Sequence, residues 1–316
     1  RVVRAAYRVG AGHVTVIWHD DQVTRLTYEN VPTAWFETVP SWQREQLNSL
    51  AEDGAAFLFL EGSDPSSLKG IDPAKPATAS RARNEQCKSF RDGMDFGRNA
   101  WCIAGVPVTA WAREVFPELS PTEAVYRLWV AILETSRAEG DDPESAWETH
   151  NASFEQTKRM LNRKHYSALR YESSNGTNLT VGLTEGHIWE GGAGKLQDGT
   201  VFFPNIPTEE VFTSPDRMRV DGIVYSALPL VHNGQTVRDF WLRFEGGAVV
   251  DYGAKAGKDV LQHILETDEN AVRLGEVALL FQKTLPSDKA GFCSTIRSTM
   301  RMQVATLRLA WASPSA

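Results

Sequence analysis

Cysteine is scarce in this chain: Cys87, Cys102 and Cys293 are the only three in 316 residues, and none falls in CxxC spacing. That excludes a disulfide framework or a cysteine-rich zinc site, and it points to a reducing compartment, the cytoplasm. Long apolar runs are missing too. None reaches the roughly 18 residues that a membrane-spanning helix needs, so no membrane is expected among the partners. Excess positive charge is also absent. With 33 basic against 40 acidic residues the net charge is −7, which argues against a general polyanion binder and hence against nucleic acid.

Several catalytic signatures are absent as well. There is no HExxH for a helix-borne zinc site and no GxSxG nucleophile elbow. No GxGxxG follows the early strands, so no dinucleotide fingerprint is present. Gly191-Gly192-Ala193-Gly194-Lys195 resembles a phosphate loop. That loop needs Gly at position 189 and Ser or Thr after the Lys, where this chain has Trp189 and Leu196, so the run reads as a hairpin turn. His187, His232 and His263 show no partner spacing and read as surface or core histidines.

What remains is a globular composition, 42% apolar and 23% charged, long enough to bury a sizeable core. The first half alternates strands and helices. HVTVIW (His13 to Trp18) is a β-rich run. Ser41 to Asp53 reads as a helix stopped by Gly54. AAFLFLEG (Ala55 to Gly62) is an apolar run of the buried parallel-strand type. ATASRARNEQCKSFRDG reads as one polar-faced helix, and WCIAGVP as the next strand, followed by a helix over VTAWAREVF. Ser120-Pro121-Thr122-Glu123 is a capped helix start. Asp141-Asp142-Pro143-Glu144 begins a long helix to about Lys164. This alternation implies a parallel α/β sheet.

After Tyr166 the texture becomes short strands with Gly-rich turns, interrupted by one helix over KAGKDVLQHILETDEN. The expected fold is therefore α/β, a parallel N-terminal domain over residues 1–164 and a strand-rich α+β domain over 165–280. RVVRAAYRVGAG reads as the last turns of a helix, with the N-terminal domain incomplete at its start. Residues 281–316 form a tail of different character: five basic residues and one acidic, against 28 and 39 in the preceding 280. That segment is expected to be extended or irregular.

One stretch carries chemistry. FFPNIPTEEVFTSPDRMRVDG (Phe202 to Gly222) uses Pro204 and Pro207 to stiffen the approach to Thr208-Glu209-Glu210. Adjacent carboxylates repel, and burying them is costly unless a cation neutralises them. The loop could be a metal shelf or a capped turn with solvated acids. Glu276, in RLGEVALL at the mouth of an apolar run, is a second acid, and by itself it reads first as a strand-end surface residue.

TNLTVGL, Trp189-x-Gly191-Gly192 with Lys195-x-x-Asp198-Gly199, FPNIPTEEVFTSPD, VDGIVYSALPL and RLGEVAL together closely resemble the thermophilic metallo-aminopeptidase family. VIWHDDQVTRLTYE and DDPESAWETHNASFEQTKRMLN are similar to that family's first domain. The likeness covers about residues 1–280. It implies a homodimeric aminopeptidase that removes N-terminal residues from peptides with a free N-terminus through two divalent ions, zinc, cobalt or manganese. By resemblance, Glu210 and Glu276 are metal ligands, and Glu276 is also the group that orients a water or accepts its proton.

The family's remaining ligands, a His in DENASCHLALG and a later His-x-Asp pair, have no counterpart; no histidine follows His263. The codons over Met300–Ala310, read one frame away, permit the string Asp-Glu-Asn-Ala-Ser-Cys-His-Leu-Ala-Leu-Gly. The missing His would straddle Ala305 and Thr306. The expectation is a frame change close to Leu280 and a 316-residue chain of little activity. The alternative reading is a non-catalytic dimeric binding scaffold on the same fold.

Overall fold

A computed structural model describes residues 1–232 and 234–280, together with the backbone of 307–309. The elements in chain order are α1 (Val2–Arg8), α2 (Asp21–Asn30), α3 (Ser41–Glu52), β1 (Phe57–Glu61), α4 (Ala74–Gln86), α5 (Lys88–Asp95), β2 (Trp101–Gly105), α6 (Thr109–Val115), α7 (Pro121–Thr135) and α8 (Pro143–Lys164). Strands then dominate: β3 (Ala168–Glu172), β4 (Asn178–Leu183), β5 (Glu190–Gly191), β6 (Gly194–Lys195), β7 (Val201–Phe202), β8 (Asn205–Ile206), β9 (Glu210–Thr213), β10 (Pro215–Tyr225), β11 (Leu230–His232), β12 (Gln235–Val237), β13 (Trp241–Glu245) and β14 (Ala248–Gly253). α9 (Lys258–Leu265), β15 (Leu274–Leu280) and β16 (Leu307–Leu309) complete the order. The expected fold class holds: a parallel sheet with helices first, and antiparallel strand-rich sheets after.

The parallel sheet has the order β1-β2-β8, all parallel. Its third strand comes from the second half of the sequence, immediately before the Glu-Glu loop. On one face Phe57 and Phe59 pack with Phe90, Cys87 and Ala51 of the flanking helices. The other face is not buried as the apolar run suggested, since Leu58 is 50% exposed. The run His13–Trp18 forms no strand, and Val16, Ile17 and Trp18 are exposed. Its β-propensity expresses a fit to a pleated, half-buried surface, and no described strand pairs with it. The single helix expected over Ala77–Gly93 is two, because the backbone at Cys87 leaves helical geometry (φ −96°, ψ 48°) between α4 and α5.

Helix starts follow the local chemistry. The Ser120 hydroxyl accepts from Glu123 N, and the Asp142 carboxylate accepts from Ser145 N at 3.0 Å, each with Pro at the first helical position. These caps occupy amide donors that no intrahelical carbonyl can reach. α6 and α7 bury Trp111, Phe116, Leu128 and Ile132 against one another.

The five-stranded antiparallel sheet has the order β14-β13-β10-β4-β3, and a four-stranded one the order β16-β15-β9-β5. Their shared core holds Leu179, Val181, Trp189, Val211, Val220, Phe244 and Val277, and α8 contributes Phe154 and Leu161 to it. The strand-rich half is thus built onto the long helix that ends the first half. Apart from the backbone of β16, the tail after Leu280 lies outside the described residues.

Candidate metal-binding carboxylates

The Glu-Glu loop is held from the helical side. His150 Nε2 on α8 donates to the carbonyl of Thr208 at 2.8 Å and stands 3.7 Å from Glu209. Arg137, just past α7, pairs with Glu209 at 2.6 Å. Trp147 braces this arrangement. Its indole N–H donates to Ser136 O, and its ring lies beside the Arg137 guanidinium and against His150 and Phe203. Burial holds the His150 imidazole below its usual range, with Arg137 acting in the same direction; the Thr208 carbonyl and Glu209 pull the other way. The neutral ring with hydrogen on Nε2 is the form that this carbonyl contact requires.

Glu209, just before β9, is drawn to the helices by Arg137 and His150. Successive residues of β9 point to opposite faces, so Val211 faces the core while Glu210 lies on the other side. Glu210 is 3% exposed. β9 pairs antiparallel with β15, Val211 opposite Leu279 and Glu210 opposite Leu280. Val277 and Leu279 share the core face with Val211. Glu276, half-buried, therefore faces the same side as Glu210, on the neighbouring strand. The offset is four residues, about 13–14 Å along the strand.

The turn next to this sheet is tied to α8 as well. Asn151 Oδ1 accepts from Ala193 N at 3.0 Å, and the Asn162 side chain bonds both Trp189 N and Trp189 O. Gly192 (φ +73°) lies so close to α8 that an added Cβ would stand 2.7 Å from Asn151 Oδ1. The glycine run is a turn packed on a helix.

Two carboxylates supply hard oxygen donors of the kind that divalent metal ions take. By number they do not complete a site: among the described residues no group of three or more His, Cys, Asp and Glu side chains is gathered to hold a metal ion. Sequence reasoning missed the Arg137–Glu209–His150 cluster. Its members are separated by up to 72 residues, and no local spacing signals them.

Residues 1–295 match the model of the thermophilic metalloprotease (M29) family. The chain is 41% identical over 280 residues to aminopeptidase 2 of Geobacillus stearothermophilus, covering 89% of this chain and 68% of that protein. It is 42% identical over 279 residues to aminopeptidase T of Thermus aquaticus, covering 87% and 67%. The solved structure of wild-type AmpT from Thermus thermophilus superposes with a TM-score of 0.81 at 38% identity, over 94% of this chain and 74% of that one. The chain belongs to the thermophilic metalloprotease (M29) family. It spans about two thirds of the length of these curated relatives. Among the described residues no helix is long and apolar enough to cross a membrane.

Proposed function

We propose that this chain carries part of the active centre of a metal-dependent aminopeptidase, with Glu210 and Glu276 as ligands to a pair of divalent ions, zinc, cobalt or manganese. The observation that carries this reading is the β9–β15 register. It sets both carboxylates on one face while Arg137 and His150 draw Glu209, just before the strand, to the helices. When bound, such ions polarise a scissile carbonyl and lower the pKa of a water. Glu210, buried at the strand start, is a fixed donor. Glu276, half-buried, is placed to orient a water or take up its proton. The substrates are peptides with a free N-terminus.

Two ions that share ligands need about five protein groups with positions left open for water, and by resemblance the described residues supply two. The 316-residue chain is therefore of little activity. Residues 1–164 and 165–280 act as an N-terminal α/β unit and a metal-binding α+β unit, in a cytoplasmic homodimer. A second reading, a non-catalytic dimeric binding scaffold, is favoured by the lack of any gathered three-donor group among the described residues.

The test is release of p-nitroaniline from a free-amine amino-acid p-nitroanilide with zinc, cobalt or manganese added. It compares the 316-residue chain with one whose residues after Leu280 are re-encoded in the shifted frame and extended with the family's later His-x-Asp segment. Metal-dependent turnover only by the re-encoded chain supports the aminopeptidase reading. No turnover by either, with both folded, supports the scaffold.

A further inference from the structure

A second place in the fold presents imidazole rather than carboxylate. α8 ends at Lys164, and His165 caps it in the left-handed region (φ 46°), its N–H bonded to Leu161 O. The side chain of His165 is exposed. The connection from β4 to β5 returns beside it. Leu183 N donates to Ser167 O, and the turn Thr184–His187 closes with His187 N bonded to Thr184 O. Two separate backbone segments are thereby tied together, each with a histidine at the junction.

His187 is 6% exposed. Its Nδ1 lies 2.8 Å from Thr184 O. A carbonyl only accepts, so Nδ1 carries the hydrogen and Nε2 carries the lone pair. That Nε2 is sealed from solvent and has no hydrogen-bond partner. Backbone carbonyls hold metal-ligating imidazoles in this tautomer by the same bond, leaving the other nitrogen for the ion. The His165 ring stands with its centroid 5.6 Å from that of His187, the planes 73° apart, and Trp189 covers His187 edge-on at 6.3 Å. Two imidazoles on one tetrahedral zinc, with Zn–N bonds of about 2.1 Å, put their ring centroids roughly 5 Å apart. The observed spacing is close to that, and rotation of the exposed His165 side chain covers the difference.

The geometry points to a two-imidazole site, His165 with His187, for a borderline divalent ion such as zinc. His187 is the preformed ligand, His165 the solvent-side ligand, and water fills the open positions. The site uses neither Glu210 nor Glu276, so it stands or falls separately from the function proposed above.

Zinc chloride is titrated calorimetrically into the 316-residue chain, its E210Q/E276Q variant, H165N and H187Q. Asn tolerates the left-handed backbone at 165, so H165N removes the imidazole without disturbing the cap; circular dichroism checks the folding of H187Q. The expected result is one zinc bound by the parent and retained in E210Q/E276Q, but weakened by about tenfold or more in H165N and H187Q. In the NMR spectrum the ring resonances of His165 and His187 shift together on adding zinc. No zinc binding by E210Q/E276Q, or H165N binding as tightly as the parent, overturns the site. Zinc binding indifferent to E210Q/E276Q yet lost in H165N upholds it and leaves the carboxylate reading to the turnover assay.

Discussion

Arg137 meets Glu209 at 2.6 Å, and both side chains are largely buried. This pair answers a question that two adjacent glutamates pose. Glu209 is occupied in holding its own loop against the helices, and Glu210, the first residue of β9, lies on the strand face away from Val211. A carboxylate buried without compensation is costly, and the guanidinium beside Glu209 offsets that cost while fixing the approach to the strand.

Removing one partner should therefore hurt more than removing both. Arg137→Ala is expected to destabilise the fold by about 2–4 kcal/mol, because it strands the Glu209 charge. The double variant Arg137→Met with Glu209→Leu is expected to lose clearly less. Urea unfolding followed by circular dichroism measures both, and equal losses would contradict a buried charge pair.

His150 makes stability depend on pH. Its folded-state pKa is depressed, chiefly by burial, so the unfolded chain takes up the proton first as pH falls. The contribution is fully present above the unfolded value of about 6.5 and is lost as pH drops through the lower folded value. Melting temperatures of the parent and His150→Gln between pH 8 and 5 should converge at the acid end. His232, also depressed by burial, contributes with the same sign in both proteins and cancels in the comparison.

Gly192→Ala should cost about 1–3 kcal/mol. The backbone there has φ +73°, and the new methyl would meet Asn151 Oδ1 at 2.7 Å and the Phe154 ring at 2.8 Å. Gly140→Ala, where nothing lies within 4 Å of the added Cβ, is the control expected to change little. A Gly192 variant as stable as the control would mean that the turn does not pack on α8 as described.

In the chain re-encoded after Leu280 and extended with the later His-x-Asp segment, Glu210→Gln and Glu276→Gln should each lower p-nitroanilide turnover at least about 100-fold, more than the loss of a group that merely supports a ligand. Glu209→Gln should lower it far less. Equal losses at 209 and 210 would assign the metal to the wrong acid.

Helix starts, caps and stops were legible because they are settled within four residues. Ser120, Asp142 and the prolines after them act on amides one turn away. The change from helix–strand alternation to hairpins was legible too, since periodicity and glycine placement are local. The roles of Glu210 and Glu276 came from resemblance to a family; the Glu-Glu loop by itself read as a metal shelf or a capped turn, and Glu276 by itself as a strand-end surface residue. Only the tertiary structure decided that His13–Trp18 makes no strand, because a ladder needs a neighbour and propensity cannot supply one. It also placed Asn205–Ile206 in the parallel sheet of the other half. It gave Glu209 to Arg137 and set His165 beside His187, each across a separation over which no sequence period runs. Contacts of this kind depend on where a folded backbone brings distant segments, and charge and hydrogen bonding then select among the side chains that meet there.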